Sequence, residues 1–506
     1  MAEYTTLAAV DLGSNSFHCQ IARVDGDQLY PLDALREPVQ IGAGLTDAKL
    51  LDEAAQARAL ACLQRFSERL RSFAPNEVRA LGTNTLRVAK NAAAFLKKAE
   101  AALGFPIEVI AGREEARLIY LGVAHSLPAS DERRLVVDIG GGSTEFIVGA
   151  GYRPLRLDSL YMGCVSYSRS YFADGKVSKS AMKQAELAAR AELQHIVAGF
   201  SHRNWSHAVG SSGTARALAS VLRAAGFAEA GITPDGLDKL RAQLIKAGDV
   251  ARLGIEGLKP DRAAVLPGGL AIMSAVLGEL GIESMAVAEG AMREGILYDL
   301  LGRTRHRDTR EATVNQFMQR YHVDQPQAQR VSALALSLFE RLAGAGARDQ
   351  RAARLLAWAA RLHEIGISVA YGGYHRHSAY IIANADMPGF TREEQHRIAQ
   401  LVLAHRRSLR KVQLELDETL DWRMLFALRL AVLFCQRRSD ISPRVLAAKA
   451  GDARFRVEID PAWLTRNPLT LTALQEEIRE WEKIGFDVKI AGLDEADERT
   501  ELPLAS

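Results

Sequence analysis

One pattern occurs twice in this chain and limits what it can fold into. Residues 7–17 read LAAVDLGSNSF and residues 135–146 read LVVDIGGGSTEF. In each, an apolar run ends in Val-Asp, a Gly/Ser-rich turn follows, and a second apolar run begins at Phe17 or Phe146. Apolar runs bounded by such a turn read as a strand–turn–strand hairpin. The two copies, marked by Asp11 and Asp138, lie about one domain length apart, which predicts duplicated α/β halves rather than a short-repeat solenoid.

The intervening segments fit that reading. Helical periodicity over 50–71, 92–103 and 114–121 alternates with short strand patterns at 78–81 and 107–110. The second half repeats the mixture, with helices over 180–200, 215–225, 267–280 and 290–301 and a strand at 208–209 leading into Gly210-Ser211-Ser212-Gly213-Thr214. After Gly302 strand signals nearly vanish, and helices are predicted over 330–342, 351–363, 393–405 and 422–437. From Arg454 a strand, a helix (471–483) and another strand return. These changes predict four domains, over 1–124, 125–303, 304–442 and 443–506.

Composition excludes several classes. The 506 residues carry a formal charge of +3 and 7% aromatics, which excludes a basic nucleic-acid tail and predicts no nucleic-acid partner. No apolar run approaches the ~20 residues of a membrane span, so membrane association is at most peripheral. Glu3 and the lack of a basic stretch before an apolar core predict no secretory signal and a cytoplasmic protein. Cys19, Cys62, Cys164 and Cys435 are too scattered for a zinc ribbon or a disulfide framework.

The twin turns supply a candidate phosphate clamp. Gly13, Gly140, Gly141 and Gly142 leave backbone N–H groups unobstructed, and Ser14, Asn15, Ser16 and Ser143 add polar side chains. Asp11 and Asp138, each at a strand end, could hold Mg²⁺ through its waters. One such turn alone would be an ordinary hairpin, and it is the duplication that points to function. The chain has no GxxxxGK[ST], so it is not a P-loop protein. Glu114 and Glu115 begin a helix, where acidic residues are also favoured by the dipole. Adjacent helical residues point about 100° apart, so only one of them can face a cleft.

With Gly210–Thr214 added, the twin hairpins resemble the actin/Hsp70/sugar-kinase superfamily of two ribonuclease-H-like halves. Within it, DLGSNSFH, GTNTLR, GREEARLIY, DIGGGSTEF, GCVSYSRSYF, AMREGILY and LHEIG with HRHSAYI match the exopolyphosphatase/guanosine pentaphosphate phosphatase family. That resemblance implies the fold class: duplicated ribonuclease-H-like (actin-like ATPase) halves, then a helical HD-like domain and a small α/β domain. It also implies hydrolysis of a terminal phosphate from inorganic polyphosphate or guanosine pentaphosphate by a homodimer. The cofactor expected is Mg²⁺, with a monovalent cation such as K⁺ as a further candidate.

Carried over residue by residue, the resemblance makes Glu115 the catalytic base and Arg87 the residue that grips the transferred phosphate. Asn84, Gly210, Ser211, Ser212 and Gly213 join the phosphate-binding set, and Glu145 joins Asp11 and Asp138 at the metal. Cys164, with no visible base partner, reads as packing. Asn84 and Gly142 favour polyphosphate, because the pentaphosphatase branch tends towards Ala-Thr-Ala-Thr and Gly-Gly-Ala-Ser at those motifs. Exopolyphosphatase is therefore the expectation and guanosine pentaphosphate 5′-phosphohydrolase the alternative. An actin-like ATP-dependent kinase and a non-enzymatic sensor are remoter readings. His363, Glu364, His375, His377, His405 and Asp440 resemble the ligands of HD-type phosphohydrolases. A working metal centre is not expected, since Gln327 and Glu364 stand where His and Asp are needed. Arg303, Arg305, Arg307 and Arg310, with His405, Arg406, Arg407, Arg410 and Lys411, are a candidate path for a long polyanion.

Overall fold

A computed structural model describes residues 5–26, 28–128, 130–250, 256–304, 308–343, 349–417, 420–439 and 445–493. The chain divides into two compact units, Met1–Thr309 and Arg310–Ser506.

The first unit contains two five-stranded sheets built in the same way. In the first sheet β1 (Thr6–Leu12), β2 (Phe17–Asp25) and β3 (Gln28–Glu37) form an antiparallel meander. β4 (Val78–Gly82) and β5 (Ile107–Val109) then add in parallel, giving the order β3-β2-β1-β4-β5. In the second, β6 (Arg134–Ile139), β7 (Thr144–Ala150) and β8 (Arg153–Leu160) repeat the meander. β9 (His207–Ser211) and β10 (Met285–Val287) repeat the parallel additions. The duplication read from the two turns is therefore a duplication of whole sheets. β3 and β8 are not visible as apolar alternation in the sequence, because each is a sheet edge with mostly half-exposed or exposed residues.

Period-two alternation places these strands between two layers. Ala8, Val10 and Leu12 of β1 face one core with the helix Glu53–Leu70, while Leu7 and Ala9 face another. That second core is shared by the halves: Val136 and Ile147 enter it from the second sheet, and the helices Gly112–Ser126 and Met292–Thr304 lie within it. The helices meet at glycines. A Cβ on Gly122 would lie 1.9 Å from the Ala291 carbonyl oxygen, and one on Gly295 would lie 1.8 Å from that of Leu118. Beside this crossing, Asp299 accepts from Arg79, Arg117 and Arg303, and Arg117 forms a bidentate pair with Glu114 at 2.7 Å for each bond.

The second unit packs the helices Gln325–Ala343, Gln350–Leu362, Tyr374–Asn384, Arg392–Ala404 and Trp422–Phe434, followed by a three-stranded sheet. Its strands β11 (Val445–Gly451), β12 (Arg454–Ile459) and β13 (Asp487–Ala491) are adjacent in that order. One core runs through helices and sheet alike. Phe426 stacks on Phe455 with ring centres 4.1 Å apart, and Trp481 meets both edge-on. Among the described residues, no helix is long and apolar enough to cross a membrane.

Candidate active site

Both hairpin turns open onto one cleft in the first unit. The register of β1 with β2 pairs Leu12 with Phe17 and leaves 13–16 as a four-residue loop; Ile139 with Thr144 does the same for 140–143. The carbonyls of Ser14, Asn15, Gly140 and Gly141 accept from Gly42, Gln40, Cys164 and Val165, so they are turned into the protein body. The two loops touch: a Cβ on Gly141 would lie 2.9 Å from that of Ser14. Between them lies a cavity of about 130 Å³, lined by Asp11, Gly13, Ser14, Asn15, Ser16, Asn84, Glu115, Asp138, Gly140, Gly141, Gly142, Ser143, Ser212 and Gly213. Thr85 Oγ1 reaches Ser14 Oγ at 2.8 Å and ties the turn after β4 to the first loop.

Four expected residues stand outside that lining. Arg87 donates from Nη1 to the Ile110 carbonyl at 2.9 Å and to Glu115 Oε2 at 3.2 Å, so it holds the carboxylate beside the cavity. Glu145, 1% exposed, sits behind the wall and accepts from Ser159 Oγ at 2.9 Å. Gly210 and Ser211 end β9, where Ser211 is fully buried and its Oγ contacts the Gly290 carbonyl. Ser212 begins the next helix at φ 102°, a strained conformation for a residue with a side chain.

The glutamate pair divides cleanly. Glu114 points to Arg117 in the ionic cluster, and Glu115, one residue on, lines the cleft. Burial raises the Glu115 carboxyl, Arg87 opposes that rise, and Asp138 reinforces it. Burial, helped by Glu115 and Asp138 and opposed by Arg293, pushes Asp11 up to about 7. Asp138 rises to about 6, chiefly through burial. Burial, with Glu115 and Asp138 nearby, drives Glu145 well above the ordinary range. Carboxylates crowded this way favour a cation among them.

The donors fit a hard ion. Asp11 Oδ1 is buried with no hydrogen-bond partner, and the nearby acids offer only oxygen. Among the described residues no three His, Cys, Asp or Glu side chains form a complete ligand set. Mg²⁺ does not require one, since it commonly keeps several waters and takes one or two carboxylates plus substrate phosphates.

Residues with no signal of their own in the sequence complete the cleft. Arg216, Arg262 and Arg293 line it, and Arg293 Nη1 lies 3.2 Å from His18 Nδ1. Burial and Arg293 lower His18 to about 3, which keeps the imidazole neutral. Arg293 falls inside AMREGILY, but nothing in that segment distinguished it from a solvated arginine. Cys164 lines the cleft at 1% exposure with its thiol raised by burial, which suits packing rather than nucleophilic attack.

Among the described residues of the second unit, no three His, Cys, Asp or Glu side chains form a metal-ligand set. His363 and His405 each place Nδ1 against a carbonyl three residues back and leave Nε2 buried without a hydrogen-bond partner, while Gln327, which stands where a histidine is needed, donates to the Cys435 carbonyl. Glu364 is paired with Arg438, and Asp440 lies outside the described residues. The proposed polyanion path also loses members. Arg310 is buried against Glu394 and stacked on Trp358, Arg303 pairs with Asp299, and His405 is 1% exposed. Arg305 and Arg307 lie outside the described residues.

Two sheets of one 3-2-1-4-5 order, each presenting a Gly/Ser loop and an aspartate to a shared cleft, define a duplicated α/β fold. The chain belongs to the Ppx/GppA phosphatase family, whose model matches residues 20–304, while that of Ppx/GppA phosphatase domain III matches residues 309–478. It is 38% identical to a Vibrio cholerae guanosine-5′-triphosphate,3′-diphosphate pyrophosphatase over 486 residues, covering 96% of this chain and 97% of that one. An exopolyphosphatase from Cytophaga hutchinsonii is 26% identical with a TM-score of 0.53, covering 58% of this chain and 97% of that one. The Aquifex aeolicus Ppx/GppA family member is 25% identical with a TM-score of 0.51, covering 60% of this chain and all of its own. The chain is thus a phosphatase of this family.

Proposed function

We propose that this protein hydrolyses the terminal phosphoanhydride of guanosine pentaphosphate, giving guanosine tetraphosphate and orthophosphate. The observation that carries the substrate is the 38% identity, over 96% of the chain, to a relative named for that nucleotide. The cleft supplies the chemistry. Glu115 accepts a proton from the attacking water, while Arg87 orients its carboxylate and limits its proton affinity. The 13–16 and 140–143 loops cradle the phosphates, and Arg216, Arg262 and Arg293 offset their charge. Asp11 and Asp138 would hold Mg²⁺, with Glu145 behind them; when bound, the ion neutralises charge on the phosphate oxygens. Positioning and electrostatics suffice, so no covalent intermediate on the protein is required.

Exopolyphosphatase is the second reading, favoured by Asn84 and Gly142, which stand together in the cleft. The helical unit is read as HD-like in architecture and without a metal centre, and the working form as a cytoplasmic homodimer. Phosphate release from guanosine pentaphosphate and from long polyphosphate, measured side by side with Mg²⁺, tests the reading. A higher kcat/KM on the nucleotide is expected. A higher value on polyphosphate would replace it with the second reading, and release from neither would overturn both.

A further inference from the structure

We propose that Asn84 and Gly142 act as one recognition unit across the cleft: the Asn84 amide donates to a phosphate oxygen of the substrate, and Gly142 lacks a side chain to leave that amide its space. The inference rests on the phosphoanhydride hydrolysis proposed above and adds a positioning residue, Gly142, to it.

Asn84 follows β4 in the first half, and Gly142 lies in the loop between β6 and β7 in the second. Asn84 is 8% exposed and lines the cavity, yet its Nδ2 has no hydrogen-bond partner. A buried amide donor is expensive to leave unmade, and the substrate's acceptors in this cavity are phosphate oxygens.

Gly142 shows why the amide stands there. A Cβ at 142 would lie 2.5 Å from Asn84 Oδ1 and 3.0 Å from its Cγ. The next nearest atom, Ser14 Oγ, is at 3.5 Å, an ordinary contact. Gly142 is not among the glycines of positive φ, so its backbone does not require glycine. Asn84 alone excludes a side chain at this position. The obstructing atoms end a side chain rather than belonging to backbone, so Gly142→Ala is accommodated when the amide turns away. The substitution then folds and loses the donor, although it is made on the opposite half of the cleft.

The test is a double-mutant cycle in the full chain with Asn84→Ala, Gly142→Ala and both together. It is read as kcat/KM on guanosine pentaphosphate and on long polyphosphate, and as affinity for inorganic tripolyphosphate by calorimetry. Each single substitution should lower kcat/KM and affinity by about 10–100-fold, the worth of a hydrogen bond to a charged group. The double variant should fall no further than Asn84→Ala alone. Losses that multiply in the double variant, or wild-type behaviour of Gly142→Ala, would overturn the pairing. If Gly142→Ala proves unstable, adding Asn84→Ala should restore its melting temperature, and failure to do so also overturns it. Hydrolysis of polyphosphate alone by the wild type would remove the nucleotide assignment and leave the cycle readable on polyphosphate. If neither substrate is hydrolysed, the tripolyphosphate affinities decide the pairing.

Discussion

Glu114 and Glu115 are neighbours in sequence and opposites in environment, and the difference predicts different failures. Glu114 belongs with Arg117 and Asp299 to a buried ionic cluster that supports the crossing of the two central helices. Burial tends to raise the Asp299 carboxyl, but Arg117, Arg303 and Arg79 hold it far below the usual range. Asp299→Asn leaves these guanidinium groups short of an anion and should destabilise the protein by about 3–5 kcal/mol, read from denaturant unfolding. Asp11→Asn and Asp138→Asn should instead leave stability near wild type and move the Mg²⁺ titration of activity to higher concentration; unchanged curves for both would exclude them as cation ligands. The twin loops, the aspartates and Glu115 were legible because each sits in a pattern: a repeat for the loops and aspartates, a family motif for Glu115. Arg216, Arg262 and Arg293 come singly from distant segments, and only folding gathers them beside His18.

At the scale of elements, apolar runs exposed the inner strands and missed β3, β8, β10 and β11, edge strands whose residues are mostly half-exposed or exposed. A helix read as continuous over 180–200 is interrupted, with Lys179–Leu193 followed by a separate short helix at Val197–Phe200. The Gly122–Gly295 crossing had no signal, since close backbone approach shows only when both helices are in place. Gly295→Ala meets backbone rather than a movable side chain and should destabilise the first unit by at least about 1–3 kcal/mol, measured by thermal unfolding. The second unit carries a pH dependence. Burial lowers both His363 and His405, and Glu364, Arg438, His375 and Arg406 modulate them. The unfolded chain takes up these protons near about 6.5 while the folded unit does not, so stability should fall as pH drops through that value. Urea midpoints followed by the fluorescence of Trp358, Trp422, Trp463 and Trp481 should decline from pH 7.5 to 5.5, and less steeply in His363→Gln.

For the whole molecule, the central claim is that one cleft, assembled from both halves of the first unit, activates water against a terminal phosphate. Its cavity of about 130 Å³ suits phosphate groups, whereas pockets that take whole small molecules run from about 300 Å³ upward. The guanosine of the proposed substrate is expected to lie outside this cavity. The most direct measurement is the turnover of Glu115→Gln, which keeps the size of the side chain and removes its proton acceptor. The account predicts a fall in kcat of roughly 10²–10⁴-fold with substrate affinity largely retained. Turnover near that of the wild type would contradict it and return the role of base to another group in the cleft.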